Sequence, residues 1–489
     1  MSQVTTIIGL EVHVQLATQA KLFCGCRTQF GAEANTQTCP VCLGLPGALP
    51  VMNREALALA LKTALALECE IPSFTKWDRK QYYYPDLPKG YQISQFDLPM
   101  SQHGRLRIES DKGLFETREV RIRRAHLDED AGKSLHDEIA GRADSVIDLN
   151  RTGTPLLEIV TEPDLRSPLE ARAFLDELKL LLTYIGVSDC NMQEGSLRVD
   201  ANINLHIDSP NGIIATPIVE IKNMNSFRAV ERALEYESRR QQEVWEETGQ
   251  KLGDVPKQTR GWDDGAGVTR GQRSKEESSD YRYFPDPDLV PVVFSTEEIE
   301  QARPAAEILP QAICRRLQQE YGLAPYDAGV LVNQGRELVD YFLAATQVAE
   351  DAKGVCNWVT QDVLRVLKEE ERSIKEFPIS AEQLGYMVRL IRTGELPGPR
   401  SKEVFDLMRQ KQLDAAGAMS QLGIEEVDLG ELEQLCHELL EANPKTVADV
   451  KGGKQQAIGA LIGQAKKRNP NVDPNRFREI CLELIRQMP

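Results

Sequence analysis

Long apolar runs are missing from this sequence. No stretch of its 489 residues approaches 18 uncharged apolar positions, and the most apolar helix-like run, Ala56 to Leu67, is interrupted by Lys62. No transmembrane helix is therefore expected. The N-terminus also lacks a basic region followed by an apolar run and a small-residue cleavage site, so no secretory signal is read and the expected location is cytoplasmic. Ten cysteines in a chain of this length do not make a disulfide framework; four of them crowd between Cys24 and Cys42, a clustering that favours metal. Positive charge is the minority, 58 Lys+Arg against 75 Asp+Glu, a net charge of -17 that argues against a non-specific coat on nucleic acid and leaves room for one local basic patch. There is no internal repeat and no long low-complexity tract. The remaining composition, 27% charged and 41% hydrophobic, is that of a soluble globular chain with length for about three domains.

Residues 1–293 carry mostly period-two patterning. Ile8, Leu10, Val12, Val14 and Leu16 alternate with Gly9, Glu11, His13 and Gln15, and the same alternation runs from Ser196 to Ile207. Both segments read as half-buried strands with one wet face. Shorter strands are expected at 105–109, 119–123, 145–150, 156–160 and 217–222. Helices are expected to start at Asn53, at Ser167 with Pro168 and a Ser-x-x-Glu capping box to Glu170, and at Ser226. The fold class is α+β with a largely antiparallel sheet. Trp262–Asp280 reads as a mobile loop. After Pro291 only helical periodicity remains, opening with a capping box at Ser295–Glu298. A helical domain is expected over 294–410, and a small helical tail domain over 411–489.

Two short cysteine pairs, Cys24/Cys26 and Cys39/Cys42, stand twelve residues apart. Zinc takes four soft ligands in a tetrahedron, and four thiolates leave no position for substrate, so a structural clip is expected rather than a catalytic metal. Glu11 and His13 lie two apart on the first strand, so their side chains share a face roughly 7 Å apart, workable for a shared metal or phosphate. Further acids and amides gather nearby: Asp128, Glu129 and Asp130 are consecutive, Asp200 and Asn202 share a polar strand face, and Glu220 and Lys222 follow. Carboxylates gathered on one sheet repel unless a cation sits among them, and hard oxygen ligands suit Mg²⁺ with nucleotide phosphates completing the shell. Gly132-Lys133-Ser134 resembles the end of a P-loop, but position 127 is Leu where that loop needs Gly. ATP, if used, is held through Mg²⁺ on carboxylates.

Aromatics interleave with basic and amide residues from Asp78 to Asp97, including Lys80 and Tyr82, a pattern that can stack bases while holding phosphates. Arg282, in a second aromatic stretch, is placed to grip a carboxylate or phosphate. From Pro444 to Arg478, eight Lys or Arg stand against two Asp, among them Lys451, Lys454, Lys466, Lys467 and Arg468. Such a patch on an acidic chain suits selective contact with an RNA backbone.

Val146 to Asp164 (VIDLNRTGTPLLEIVTEPD) is similar to the signature of the GatB family, the B subunits of the tRNA-dependent amidotransferase. Ile8–Val14, Tyr82–Asp86, Tyr91–Asp97, Glu194–Arg198 and Glu220–Phe227 resemble the same family in the same order, over essentially the whole chain. The resemblance implies a carbon–nitrogen ligase with glutamine as amido donor: it converts Glu on tRNA(Gln), or Asp on tRNA(Asn), to the amide while still esterified. ATP phosphorylates the side-chain carboxylate, and ammonia attacks the acyl phosphate. It further implies that Glu11, His13 and Glu129 surround Mg²⁺ and the ATP phosphates and that Lys80 and Tyr82 line the pocket, with Asp200, Glu220 and Lys222 as additional candidates. His13 instead serves to deprotonate ammonium or orient water if oxygen ligands hold the ion. Position 128 is Asp where the family usually has Glu, which leaves Glu129 as the candidate ligand. The chain has no amidase-type Ser-Ser stretch and no Cys-His glutaminase pair. The resemblance therefore implies a heterotrimer, in which a separate amidase (glutaminase) subunit sends ammonia through a tunnel and a small third subunit holds the two together. Two competing readings remain: a non-catalytic, zinc-stabilised tRNA-binding scaffold, and a free-standing amide ligase using dissolved ammonia.

Overall fold

Alternation in the first strand, Val4–Gln15, sets the architecture. Ile8, Leu10, Val12 and Val14 are all at most 1% exposed, while Glu11, His13 and Gln15 between them stay half-buried on the opposite face. A slip of one residue would send the whole apolar set into water, so the register is strongly specified. The computed structural model describes residues 3–110, 113–136, 145–272, 281–424, 429–452, 454–469 and 471–487.

The first strand lies near the middle of a nine-stranded sheet. On one side it pairs with Leu197–Ser209, followed by Val219–Lys222, Gln258–Asp263 and Val268–Gly271; Gly212–Ala215 also pairs with Leu197–Ser209. On the other side come Pro155–Thr161, Arg118–Glu129 and Ser101–Ile108. All pairings are antiparallel except Val219–Lys222 with Gln258–Asp263. The expected short strands at 105–109 and 119–123 are thus the ends of longer ones.

Among the described residues of the first unit, three helices cover one face. Arg54–Ala66, Pro168–Tyr184 and Phe227–Thr248 pack Ala60, Phe174, Leu178, Val230 and Leu234 against the apolar positions of the sheet. Their starts follow local chemistry: Asn53 accepts from Glu55 N and Ala56 N, Ser167 from Glu170 N, and Ser226 from Ala229 N. The expected box at Ser167 is only half formed, because Glu170 Oε2 accepts from Arg166 N at 2.8 Å. The box at Ser295–Glu298 is complete. Among the described residues of the first unit, no helix packs on the opposite face of the sheet, and that is where the polar side chains collect.

One irregularity decides which acids reach that face. In Arg118–Glu129 the register shifts between Ile122 and Arg124. Before the shift Val120 and Ile122 face the core; after it Ala125 and Leu127 do. An extra residue at a β-bulge inverts the parity of everything beyond it. His126 and Asp128 therefore turn to the polar face, and Glu129 turns to the core side.

A smaller sheet joins Phe284–Pro285, Asp78–Gln81 and Tyr91–Ser94. Of the expected mobile loop at 262–280, the residues through Gly271 form the antiparallel pair Gln258–Asp263 with Val268–Gly271 instead, and 273–280 lie outside the described residues. The chain divides into two compact units, Met1–Ala312 and Ile313–Pro489. The first runs past the expected boundary at 293 because Ile299, Ala302, Ile308 and Leu309 pack on the sheet's core. In the second unit the described residues form helices and no strand, and those from 429 to 487 enclose a core of their own around Leu439, Leu461, Phe477 and Ile485. No helix among the described residues is long and apolar enough to cross a membrane.

Candidate active site

Five strands present a continuous line of ionisable side chains on the sheet face opposite the three packed helices. Glu11 stands opposite Asp200 on one neighbouring strand, and His13 opposite Arg198 there and Glu158 on the other. His126, one strand further, stands opposite Glu158. The side chains make contact in sequence: His13 Nε2 is 3.3 Å from Glu11 Oε1 and 3.5 Å from Glu158 Oε2, and His126 Nε2 is 3.7 Å from Glu158 Oε2 and 3.3 Å from Asp128 Oδ1. Lys222 closes the other end with an ion pair to Asp200 and a 3.4 Å approach to Glu220.

Alternating sign lets these charges coexist. Burial works against the imidazolium of His13, but the hydrogen bonds it donates to Glu11 and Glu158 outweigh it and push its pKa up to about 10. Burial likewise opposes ionisation of Glu11, while His13, Lys222 and Lys80 hold the carboxyl down at about 2. Asp128 is held at about 2 against its burial by His126 and Lys80. Glu11, His13 and Asp200 each bring a ligand atom within 4.8 Å of one another, and so do His126, Asp128 and Glu158. An oxygen-rich donor set with one imidazole at each centre fits a hard divalent ion.

The smaller sheet brings Lys80 and Tyr82 to the same place. Burial and the fields of Tyr283, Asp128 and Glu158 act on Lys80, which ends with its pKa raised, and its Nζ lies 4.8 Å from the centre of the Tyr281 ring. Tyr82 packs edge-on against Tyr84 and Tyr281, and burial, with Asp86 and Asp128, pushes its phenol up. Phe96 and Tyr283 stack at 4.0 Å. Tyr281 and Tyr283 are half-buried while Arg282 between them is exposed. Lys133–His136 is a strand, so Gly132-Lys133-Ser134 opens no helix on which a P-loop could cradle phosphate.

Glu129 is not brought into this group. It is 2% exposed, its Oε1 takes an ion pair from Lys89 and accepts from Ile93 N at 2.9 Å, and it belongs to neither cluster of ligand atoms among the described residues. The bulge places Asp128, and not Glu129, on the charged face. Lys89 is itself pinned under the cysteine loop: a Cβ on Gly44, whose φ is +70°, would lie 2.5 Å from Lys89 Cγ.

The four cysteines converge, with every Sγ within 4.8 Å of the others. A hydrogen bond from Cys24 leads the causes that lower the Cys42 thiol to about 4, and burial opposes it. Cys39 N donates to Cys42 Sγ at 3.1 Å, and the buried Lys21 ammonium stands 3.8 Å from the same sulfur. Thiolate character with backbone N–H groups turned to sulfur fits a tetrahedral soft-ligand ion.

In the second unit the basic positions lie on helix ends. Lys451 closes Pro444–Lys451, and Lys466, Lys467 and Arg468 form the last turn of Ile458–Arg468. Lys451, Lys454, Lys467 and Arg468 are exposed; Lys454 and Arg468 make surface ion pairs with Asp449 at 3.5 Å and Glu438 at 2.9 Å. Such exposed pairs are worth little and exchange readily for phosphate.

Sequence reasoning passed over His126 and Glu158 and set Asp128 aside. The spacing His126-x-Asp128 repeats that of Glu11-x-His13, and Glu158 is a lone acid inside an apolar strand; both signals were present.

Comparison with known proteins agrees along the whole chain. Residues 6–300 match the GatB/GatE catalytic domain family, and residues 340–485 match the GatB domain family. The chain is 60% identical over 485 residues to the B subunit of aspartyl/glutamyl-tRNA(Asn/Gln) amidotransferase from Rhodopirellula baltica, covering 99% of this chain and 97% of that one. It is 47% identical over 471 residues to the protein of the same name from Carboxydothermus hydrogenoformans, covering 96% and 95% respectively. A likeness that spans both units, not one motif, places this chain in the GatB family of amidotransferase B subunits.

Proposed function

We propose that the chain is the amidating subunit of a tRNA-dependent amidotransferase and that the charged face of its sheet is where the amide forms. The substrates are Glu on tRNA(Gln), Asp on tRNA(Asn), or both, since the two share one chemistry. A carboxylate repels nucleophiles and offers oxide as its leaving group. Transfer of the γ-phosphoryl of ATP to that carboxylate releases ADP and leaves an acyl phosphate; ammonia attacks its carbonyl carbon and phosphate departs. A bound Mg²⁺ supplies neutralisation of phosphate charge. Glu11 and His13, with Asp200, Glu158 and Asp128 beside them, are the residues that would hold it, and in this reading Asp128 takes the role first given to Glu129. Lys80 and Lys222 screen incoming anions from the carboxylates, Tyr82 walls the site, and Glu220 orients Lys222.

Zn²⁺ in the cysteine loop supports the fold. Ammonia comes from a partner glutaminase, with a small third subunit holding the pair together; ammonia released to bulk water would be protonated and lose its nucleophilicity. Residues 411–489 grip the tRNA body in this reading. Their deletion should weaken tRNA binding and leave zinc content unchanged, and intact binding would remove the RNA role from Lys451, Lys454, Lys466, Lys467 and Arg468.

The observation that carries the reading is the contact series Glu11, His13, Glu158, His126 and Asp128 across adjoining strands. A scaffold has no use for five interacting ionisable groups on a helix-free face, so that alternative is not favoured. Glu11→Ala in the assembled complex decides it: glutamine formation on tRNA should be lost, whereas a scaffold would retain it. Assays of the purified chain with ammonium and ATP separate a free-standing ligase from one that depends on a partner for its ammonia.

A further inference from the structure

One cation on the charged face has no part in the reading above. Arg198 stands directly opposite His13 in the strand register. Its Nη2 lies 2.8 Å from Asp130 Oδ2, and Asp130, 3% exposed on its side chain, is fixed in turn by Gln15 Nε2 at 2.7 Å and approached by Arg151 at 3.6 Å. One carboxylate oxygen of Asp130 thus anchors one end of the guanidinium while Gln15 fixes that carboxylate. Nε and Nη2 have no exposed surface and neither makes a hydrogen bond among the described residues, so Asp130 holds Nη2 as an ion partner. The side chain as a whole is nevertheless 36% exposed, so its accessible polar edge is Nη1.

A guanidinium clamped at one end by a buried carboxylate is pre-oriented, and little rotamer entropy remains to be lost when its free edge meets an anion. By register Arg198 shares the face of His13, where His13, Lys222 and Lys80 are already drawn onto a carboxylate or an aromatic ring. We infer that Arg198 is a substrate-gripping residue whose free edge binds a planar or tetrahedral oxyanion at the charged face, either the side-chain carboxylate of the aminoacyl group or a phosphate of the nucleotide. Arginine presents paired N–H groups that match either oxyanion, and a lysine at the same place offers only a point charge. The inference rests on the face being the amidation site.

The test uses the assembled amidotransferase complex and compares Arg198→Met, Arg198→Lys and Glu11→Ala. Arg198→Met should lower kcat/KM for amidation by about 100-fold, and Arg198→Lys by about tenfold, because the fork geometry is lost while the charge stays. Added guanidinium ion should restore part of the Arg198→Met activity, which a purely structural role for Asp130 and Arg198 would not allow. A rise confined to the KM for ATP assigns the grip to phosphate; a rise confined to the KM for the aminoacyl-tRNA assigns it to carboxylate. Arg198→Met activity within twofold of the parent, or a loss that guanidinium cannot rescue at all, overturns the inference. If Glu11→Ala is inactive while Arg198→Met is active, only the role of Arg198 fails. If Glu11→Ala is active, the face itself is not the site and both readings fall together.

Discussion

His13 and Glu158 face each other across two antiparallel strands, with Nε2 3.5 Å from Oε2. Glu158 is also the carboxylate within 3.7 Å of His126, so one acid links the two ligand clusters of the face. Replacing it with the neutral isostere should therefore disturb both. Glu158→Gln is expected to lower amidation by roughly 100-fold or more, equivalent to about 3 kcal/mol of lost charge stabilisation, with the fold retained. Steady-state kinetics beside circular dichroism checks this; unchanged kcat and KM would detach Glu158 from the chemistry.

The raised pKa of His13 has a signed consequence. With its folded value at about 10 and its ordinary value at 6.5, the ion-free protein holds this stabilisation in full below pH 6.5 and loses it as pH rises toward 10. Thermal melts of ion-free protein should show a falling midpoint across that window, and His13→Asn should flatten the slope. A divalent ion that uses the imidazole must displace this proton. Mg²⁺ or Mn²⁺ affinity should then increase with pH, and calorimetry in buffers of different ionisation enthalpy should detect proton release. Binding without proton release would mean that His13 is not a ligand.

Lys89 and Glu129 form an ion pair with both side chains nearly inaccessible, 6% and 3% exposed. Removing only the cation leaves a buried charge unmatched, so Lys89→Met should cost about 3–5 kcal/mol. Glu129→Gln added to that variant should recover much of the loss, since a neutral amide no longer needs the ammonium. Denaturant unfolding of the single and double variants measures the coupling. A double variant no more stable than the single one would contradict a structural pair.

Much of this was readable in advance because period-two alternation is a direct record of which face is buried. It identified the first strand and the 197–209 strand, and with them Glu11, His13 and Asp200 on one face. Asn53, Ser167, Ser226 and Ser295 announced helix starts through side-chain chemistry that acts within four residues. Parity fails where the chain inserts a residue. The register shift between Ile122 and Arg124 leaves no local signature among consecutive arginines, and it moved Asp128 to the charged face and Glu129 away from it. The contacts of Glu158 join strands far apart in sequence, and no local pattern encodes them.

The cysteine loop yields a prediction independent of catalysis. Cys42→Ser removes the thiol that Cys24 and Lys21 make acidic and should abolish stoichiometric zinc and lower the melting temperature. Cys436→Ser, at a buried cysteine in the second unit, should leave zinc content unchanged. Elemental analysis of both variants distinguishes a four-thiolate site from adventitious metal; retained zinc in Cys42→Ser would exclude it.

The central claim is that the charged face holds a divalent ion and a nucleotide together. Crystals soaked with Mn²⁺ and a non-hydrolysable ATP analogue, measured at the manganese absorption edge, address it directly. An anomalous peak within bonding distance of Glu11 or Glu158, with the γ-phosphate beside it and Glu129 still on Lys89, is the predicted result. A peak bound by Glu129 on the core side, or nucleotide seated away from this face, would contradict it.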